Sequence, residues 1–246
     1  MYSKTNRNRP LTADEIYDRI LDRIIKLELE PGQLISENQM AKDYGVSRSV
    51  IRTAFTRLRQ IRFIEIYPQR GTYVSLIDLD HISDLLILRT AVEKEVIYEI
   101  FKFLGPETRA DLVSRLEKNM KEQGKCRNEA DYLGCFPELD SEFHKIMVDV
   151  VGRGTVMRML DDSMLHVTRW KCFDVAFDNR IPEMIRQHQA ILDAIKAGNP
   201  YEAQERLADH LETVTSIADR AIDKYPSYFR SYEQKSPRLM VLGGGK

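Results

Sequence analysis

Two short amphipathic segments separated by a single glycine, followed at once by a strand–turn–strand pattern, constrain this chain more than any other feature. Ser36 opens the first segment, which runs to Tyr44 with Met40 and Ala41 facing inward, and Gly45 stops it. Ser47 caps the second, which runs to about Gln60 and sets Val50, Ile51, Ala54, Phe55 and Leu58 in one apolar stripe. Upstream, Ile16, Ile20, Ile24 and Leu27 recur at helical spacing, so residues 12–28 form a first helix. Thr12 and Glu15 supply its capping box, and Pro31-Gly32 ends it. Downstream, Phe63 to Tyr67, the turn Pro68-Gln69-Arg70-Gly71, and Thr72 to Ser75 predict a hairpin, placed as a wing.

From about Leu79 the pattern becomes helix after helix, with no further strand. Helices are expected near 80–104, 106–123, 137–151, 154–173, 180–197 and 200–224. Pro106, Pro137, Pro182 and Pro200 sit at or near their starts, where the first turn's N–H groups lack partners anyway. The fold class is therefore mainly α: an N-terminal winged helix-turn-helix over 10–76 and an all-α antiparallel helical bundle over 80–228. Residues 76–80 are the expected linker, and 231–246, without periodicity, the expected mobile tail.

The net charge of −1 conceals an asymmetry. Residues 1–77 hold 13 Lys/Arg against 9 Asp/Glu, whereas 78–246 hold 24 against 29. A basic front and an acidic back leave only the front suited to a polyanion. No apolar run approaches the roughly 18 residues a membrane span needs. The polar, basic Met1 to Pro10 does not resemble a secretory signal, so a cytoplasmic location is expected. Cys126, Cys135 and Cys172 are odd in number and lack zinc-type spacing, and are read as reduced thiols.

A helix that enters the major groove needs donors at its N-terminal end. Ser47-Arg48-Ser49 and Arg52 provide them, with Arg48 and Arg52 four apart and opposite the stripe of Ile51 and Phe55. Arg70 at the hairpin tip is placed to touch phosphate or a neighbouring minor groove. The same arginines, with Arg57 and Arg59, could instead solvate an exposed face. The stretch from Pro31 to Val74 resembles the winged helix-turn-helix of the GntR family of bacterial repressors. Gly32 to Glu37, Gly45-Val46-Ser47-Arg48, Arg52 and Arg70-Gly71-Thr72-Tyr73-Val74 carry the likeness. The resemblance implies DNA contacts from Asn38, Ser47, Arg48, Ser49, Arg52 and Arg70. Two departures stand out: Arg62 replaces a usual glycine, adding positive charge beside the wing, and Asn38 stands where some members have arginine.

In the back half, Asp140 and His144 are i and i+4 on one helix, with His188 and His210 on two others. Such a set suits a divalent first-row metal (zinc, nickel or manganese), although an Asp-x-x-x-His pair also occurs as a plain surface pair. The stretches 140–144, 186–199 and 203–212 resemble the signatures of the FCD effector domain, in the FadR-like branch of the same family. That likeness implies that Asp140, His144, His188 and His210 bind the metal. His81 and His166 match no ligand position, though His166 could line the cavity. Arg89, four before Glu93, resembles an arginine that faces the effector pocket and could grip a carboxylate; an Arg89–Glu93 helix pair is the other reading. Where the family usually has asparagine, Arg153 is expected to affect a helix cap.

The resemblance implies a homodimeric, non-enzymatic regulator, expected to be a repressor, that reads a palindromic operator in double-stranded DNA. A small carboxylate effector at the metal would control it. Two alternatives stay open: a regulator for which the metal itself is the signal, and a metal-dependent hydrolase or lyase fused to a DNA-binding domain.

Overall fold

Helix α1 (Ala13–Ile25) begins where its capping box dictates: the Thr12 hydroxyl accepts the Glu15 N–H, and the Glu15 carboxylate accepts the Thr12 N–H. The computed structural model describes residue 9 and residues 11–126, 134–177, 180–213 and 218–230. The tail expected to be mobile, 231–246, lies outside the described residues. Ser36 caps α2 (Glu37–Tyr44) and Ser47 caps α3 (Arg48–Gln60). Ile16, Ile20 and Ile24 of α1 and Ile51, Phe55 and Leu58 of α3 form the core of this first unit.

The wing is a three-stranded antiparallel sheet in the order β1 (Leu34–Ile35), β3 (Gly71–Val74), β2 (Ile64–Tyr67). The two-residue β1 was not expected, because two residues cannot display an alternating pattern. At the wing tip the Arg70 N–H bonds the Tyr67 carbonyl at 3.0 Å, with Pro68 and Gln69 between and Gln69 at φ +62°. Gly71 lies at φ +114°, and a Cβ there would stand 2.7 Å from Leu34 Cδ1, so the close approach of β1 to β3 requires glycine.

Helix α2 ends at Gly45, which takes φ +64° while the Val46 N–H bonds back to the Ala41 carbonyl at 3.0 Å. Helix α3 ends by the same motif, with the Phe63 N–H on the Leu58 carbonyl at 2.9 Å, but there the left-handed residue is Arg62, φ +61°. The glycine expected at Arg62 is thus explained by backbone conformation, beyond any added charge. Arg62→Gly is expected to stabilise the protein by about 1 kcal/mol, because an L side chain in this region crowds its own carbonyl. Chemical denaturation checks this; an unchanged or lower midpoint would refute it.

The second unit consists of α4 (Leu79–Phe103), α5 (Pro106–Gln123), α6 (Phe136–Val150), α7 (Gly154–Arg158), α8 (Asp161–Phe177), α9 (Ile181–Lys196), α10 (Pro200–Glu212) and α11 (Ala218–Lys224). Pro106, Pro137, Pro182 and Pro200 all fall in the first turn of their helices. The single helix expected over 154–173 is two. A three-residue turn, Leu160 N–H to Met157 carbonyl at 2.9 Å, closes α7, and the Leu160 carbonyl then opens α8 by accepting the Met164 N–H. The helix expected over 200–224 is described as α10 and α11, with 214–217 outside the described residues. Ile97, Ile100, Leu112, Leu116, Phe143 and Ile191 are among the residues that fill a core shared by α4, α5, α6, α9 and α10.

The chain divides into these two units after Ile77, but the first unit also includes Ser227–Phe229. The Ile77 N–H bonds the Tyr228 carbonyl at 2.9 Å, and Ile77 and Phe229 form a parallel bridge. Among the described residues no helix is long and apolar enough to cross a membrane.

Candidate metal centre and nucleic-acid interface

Asp140 and His144 from α6, His188 from α9 and His210 from α10 meet in the interior of the second unit. All four are buried, and one ligand atom from each lies within 4.8 Å of the others. The i, i+4 spacing within α6 puts its two members on one face, while α9 and α10 pack together and bring the other two. Each imidazole is held from behind at Nδ1: His144 by Glu93 Oε2 at 2.6 Å, His188 by Gln123 Oε1 at 2.8 Å, His210 by Gln187 Oε1 at 3.0 Å.

These partners fix the tautomers. The Glu93 carboxylate can only accept. The Gln123 amide is oriented because its Nε2 donates to Asn119 Oδ1 at 2.6 Å, and Asn119 Nδ2 in turn donates to the Leu139 carbonyl and to Glu142, each at 3.0 Å. All three Nδ1 atoms therefore carry hydrogen, and all three Nε2 lone pairs face inward. His188 Nε2 and His210 Nε2 lie 3.2 Å apart, yet two acceptors cannot bond each other. His144 Nε2 and Asp140 Oδ1 have no hydrogen-bond partner although fully buried. Acceptors that converge in the interior without a donor suit a cation, and the N3O donor set fits a divalent transition metal.

Electrostatics agree with that fit. Burial holds His188 neutral, lowering its pKa to about 3, and holds His210 well below the usual imidazole range. Burial alone would raise Asp140 and Glu93. The Lys171 ammonium outweighs it at Asp140, keeping that carboxyl ionised; Arg89 and the hydrogen bond from His144 do so at Glu93, whose pKa falls to about 2. Gln123→Met removes the acceptor behind His188 and is expected to lower zinc affinity roughly 10–100-fold. Competition with a chromophoric chelator measures this, and an unchanged affinity would show that Gln123 does not support the ligand.

A cavity of about 450 Å³ adjoins the ligands, its wall including Arg89, Ser141, Thr168 and Lys171 together with Met164 and Val167. Arg89 Nε donates to Glu93 Oε1 at 2.5 Å, and the residue also lines the cavity. Glu93 thereby links Arg89 to His144. His166 is not part of this wall; its ring meets that of His81 edge-on, with centroids 5.3 Å apart. Arg153 occupies the cap position of α7 but donates no side-chain cap, and instead grips buried Glu99, with Nε 2.8 Å from Oε2. The three cysteines form no disulfide with one another, and Cys126 Sγ and Cys135 Sγ lie 3.4 Å apart.

In the first unit, Asn38, Ser47, Arg48, Ser49, Arg52 and Arg70 are all exposed. Ser47 Oγ accepts the Val50 N–H and lies 2.8 Å from Ser49 Oγ. Glu37, the first residue of α2, holds two exposed arginines of α3: Arg52 through two bonds of 3.1 and 3.3 Å, Arg48 at 3.6 Å. The bond from Arg52 lowers the Glu37 pKa. Arg57 turns away from this face; it pairs with Asp14 at 2.5 Å and covers the Tyr17 ring at 3.9 Å.

The family of bacterial regulatory proteins named gntR matches residues 12–74, and the FCD domain matches residues 84–213. The chain belongs to the GntR family. The regulator is 29% identical, over 92% of its length and 90% of the relative's, to an HTH-type transcriptional regulator in an unstable DNA locus of Streptomyces ambofaciens. It is 27% identical to the HTH-type transcriptional repressor RspR of Escherichia coli K12, over 87% of this chain and 91% of that one. A solved GntR regulator from Rhodococcus sp. RHA1 shares the fold, with a TM-score of 0.60 at 20% identity, covering 87% of this chain and 98% of that one. The protein is a DNA-binding transcription regulator, not an enzyme.

Sequence reasoning missed four side chains that the structure places around the ligands. Glu93 lay in view only as a partner for Arg89, whereas Gln123, Gln187 and Lys171 carry no spacing signal. Glu37 was likewise missed at the DNA face; its place directly after the Ser36 cap gave only a helix start.

Proposed function

We propose that this regulator is a homodimeric repressor whose operator affinity is set by a small organic acid bound beside a divalent metal on Asp140, His144, His188 and His210. The observation that carries the reading is the convergence of three Nε2 atoms and an orphaned Asp140 oxygen beside a cavity whose wall holds Asp140, His144 and Arg89. When bound, the metal would supply Lewis acidity and two positive charges toward an anionic ligand. The chain's own residues do the rest. Glu93, Gln123 and Gln187 orient the imidazoles, Arg89 presents a guanidinium suited to a carboxylate, and the apolar wall excludes water.

DNA reading falls to Arg48 and Arg52 at the start of α3, with Asn38, Ser47 and Ser49 beside them and Arg70 from the wing touching the backbone. One such module buries too little surface for strong specificity, so two copies on a palindrome are needed. Ile87, Leu88 and Tyr98 on α4 are exposed apolar side chains that a second copy could cover. RspR, a relative, is named a repressor, which supports the sign chosen here. Ligand binding would act on the DNA domains through the connection at 76–80.

Elemental analysis of the purified protein tests the metal. About one divalent ion per chain, lost to a chelator with a clear drop in melting temperature and restored by zinc, is the expected result. Absence of metal together with no thermal response to zinc, nickel or manganese would overturn it.

A further inference from the structure

The cavity beside the four ligands contains a second buried cation besides Arg89. Lys171 on α8 exposes 9% of its side chain, and its Nζ donates to Asp140 Oδ2 at 2.8 Å. The charges around this space balance. Arg89 is matched by Glu93 and Lys171 by Asp140. At the mouth, Lys145 pairs with Asp149, and Arg158 and Asp161 add one charge of each sign. Coordinated through Nε2, the imidazoles of His144, His188 and His210 would add no charge, each presenting Nδ1 to Glu93, Gln123 or Gln187.

A divalent ion on the four ligands would leave this enclosed space with two positive charges in excess. Asp140, until then the counter-ion of Lys171 alone, would have to serve the metal as well. Buried charge of one sign is costly unless compensated, and among the described residues the ammonium of Lys171 pairs with no carboxylate but that of Asp140. A ligand with one acidic group neutralises half of the excess, whereas a ligand with two neutralises it fully. Lys171 Nζ lies 2.8 Å from Asp140 Oδ2, so the second acidic group would sit close to the metal ligands. Val148, Met157, Met164 and Val167 add apolar surface to the wall, which suits a short methylene chain.

We infer that the effector is a dicarboxylate, one carboxylate directed at the metal ligands and Arg89, the other held by Lys171. Without metal, Lys171 serves as the counter-ion of Asp140; with metal and effector, it fixes ligand class. The inference rests on the metal-and-acid reading above and narrows it.

The test is calorimetry on the zinc-loaded full chain with malonate, succinate, glutarate and adipate, each against the monocarboxylate of equal carbon count, and with glycerol phosphate. At least one dicarboxylate should bind roughly tenfold or more tighter than its monocarboxylate partner. In Lys171→Met and in Lys171→Gln, whose amide keeps a donor for Asp140, that preference should vanish. A second readout needs no effector: zinc should raise the melting temperature of Lys171→Met more than that of the wild type, because Asp140 has lost its counter-ion. Equal binding of mono- and dicarboxylates, or tightest binding of glycerol phosphate, overturns the ligand class. A preference that survives both substitutions overturns the role of Lys171. If the wild type binds no zinc, the metal reading fails and this inference fails with it. Bound zinc without a dicarboxylate preference sinks this inference alone.

Discussion

His188→Ala is expected to abolish stoichiometric metal while leaving the chain folded. His188 is fully buried, its ring stacked on Phe143 with centroids 4.4 Å apart and its Nε2 nearest both His210 and Asp140. Removing it takes one of four ligands and leaves Gln123 Oε1 without its donor. The first change lowers metal affinity by orders of magnitude, and the second costs the fold about 1–3 kcal/mol. The core of Ile97, Leu116, Phe143 and Ile191 around it is large enough to hold the helices together. Elemental analysis and circular dichroism decide the matter. Full metal content in a folded variant would remove His188 from the site.

Arg52→Ala is expected to weaken specific DNA binding by about 1–3 kcal/mol, roughly 10–100-fold, with the loss concentrated at one base position. Its guanidinium is exposed, and Glu37 holds it in place by two hydrogen bonds, so it is presented in one orientation before DNA arrives. The substitution also leaves Glu37 with Arg48 as its remaining cation, at 3.6 Å. Arg70→Ala should behave differently, weakening binding evenly across sequences and reducing the salt dependence by about one counterion. A competition assay against single-base operator variants separates the two. A uniform loss for Arg52→Ala would assign it to phosphate rather than to a base.

The parts of this molecule that were legible in its sequence are those with a local cause. Thr12 and Glu15 form their capping box, Ser36 and Ser47 cap their helices, Gly45 ends α2, and four prolines mark helix starts, because each acts within one turn of the chain. The four residues of the candidate metal centre could be named from one helix period and a family resemblance. What lay beyond reach depends on distant partners. Strand β1 exists only because β3 lies beside it, and Ser227–Phe229 pairs with Ile77 across most of the sequence. Gln123 and Lys171 acquire their roles only when α5 and α8 are packed against the ligand helices. Arg62 is a different case, since its left-handed backbone follows from the helix end, and the local sequence pattern there gave no sign of it.

The central claim joins the two units: occupancy of the Asp140, His144, His188 and His210 site by metal and acid changes what α3 does at DNA. Fluorescence anisotropy on an operator selected by the protein from random sequence, measured for metal-free protein, zinc-loaded protein and zinc-loaded protein with the tightest-binding dicarboxylate, tests it directly. The account predicts that affinity differs several-fold or more between the second and third states. Equal affinity in those two states would contradict it, and a change confined to the step from metal-free to zinc-loaded protein would make the metal itself the signal.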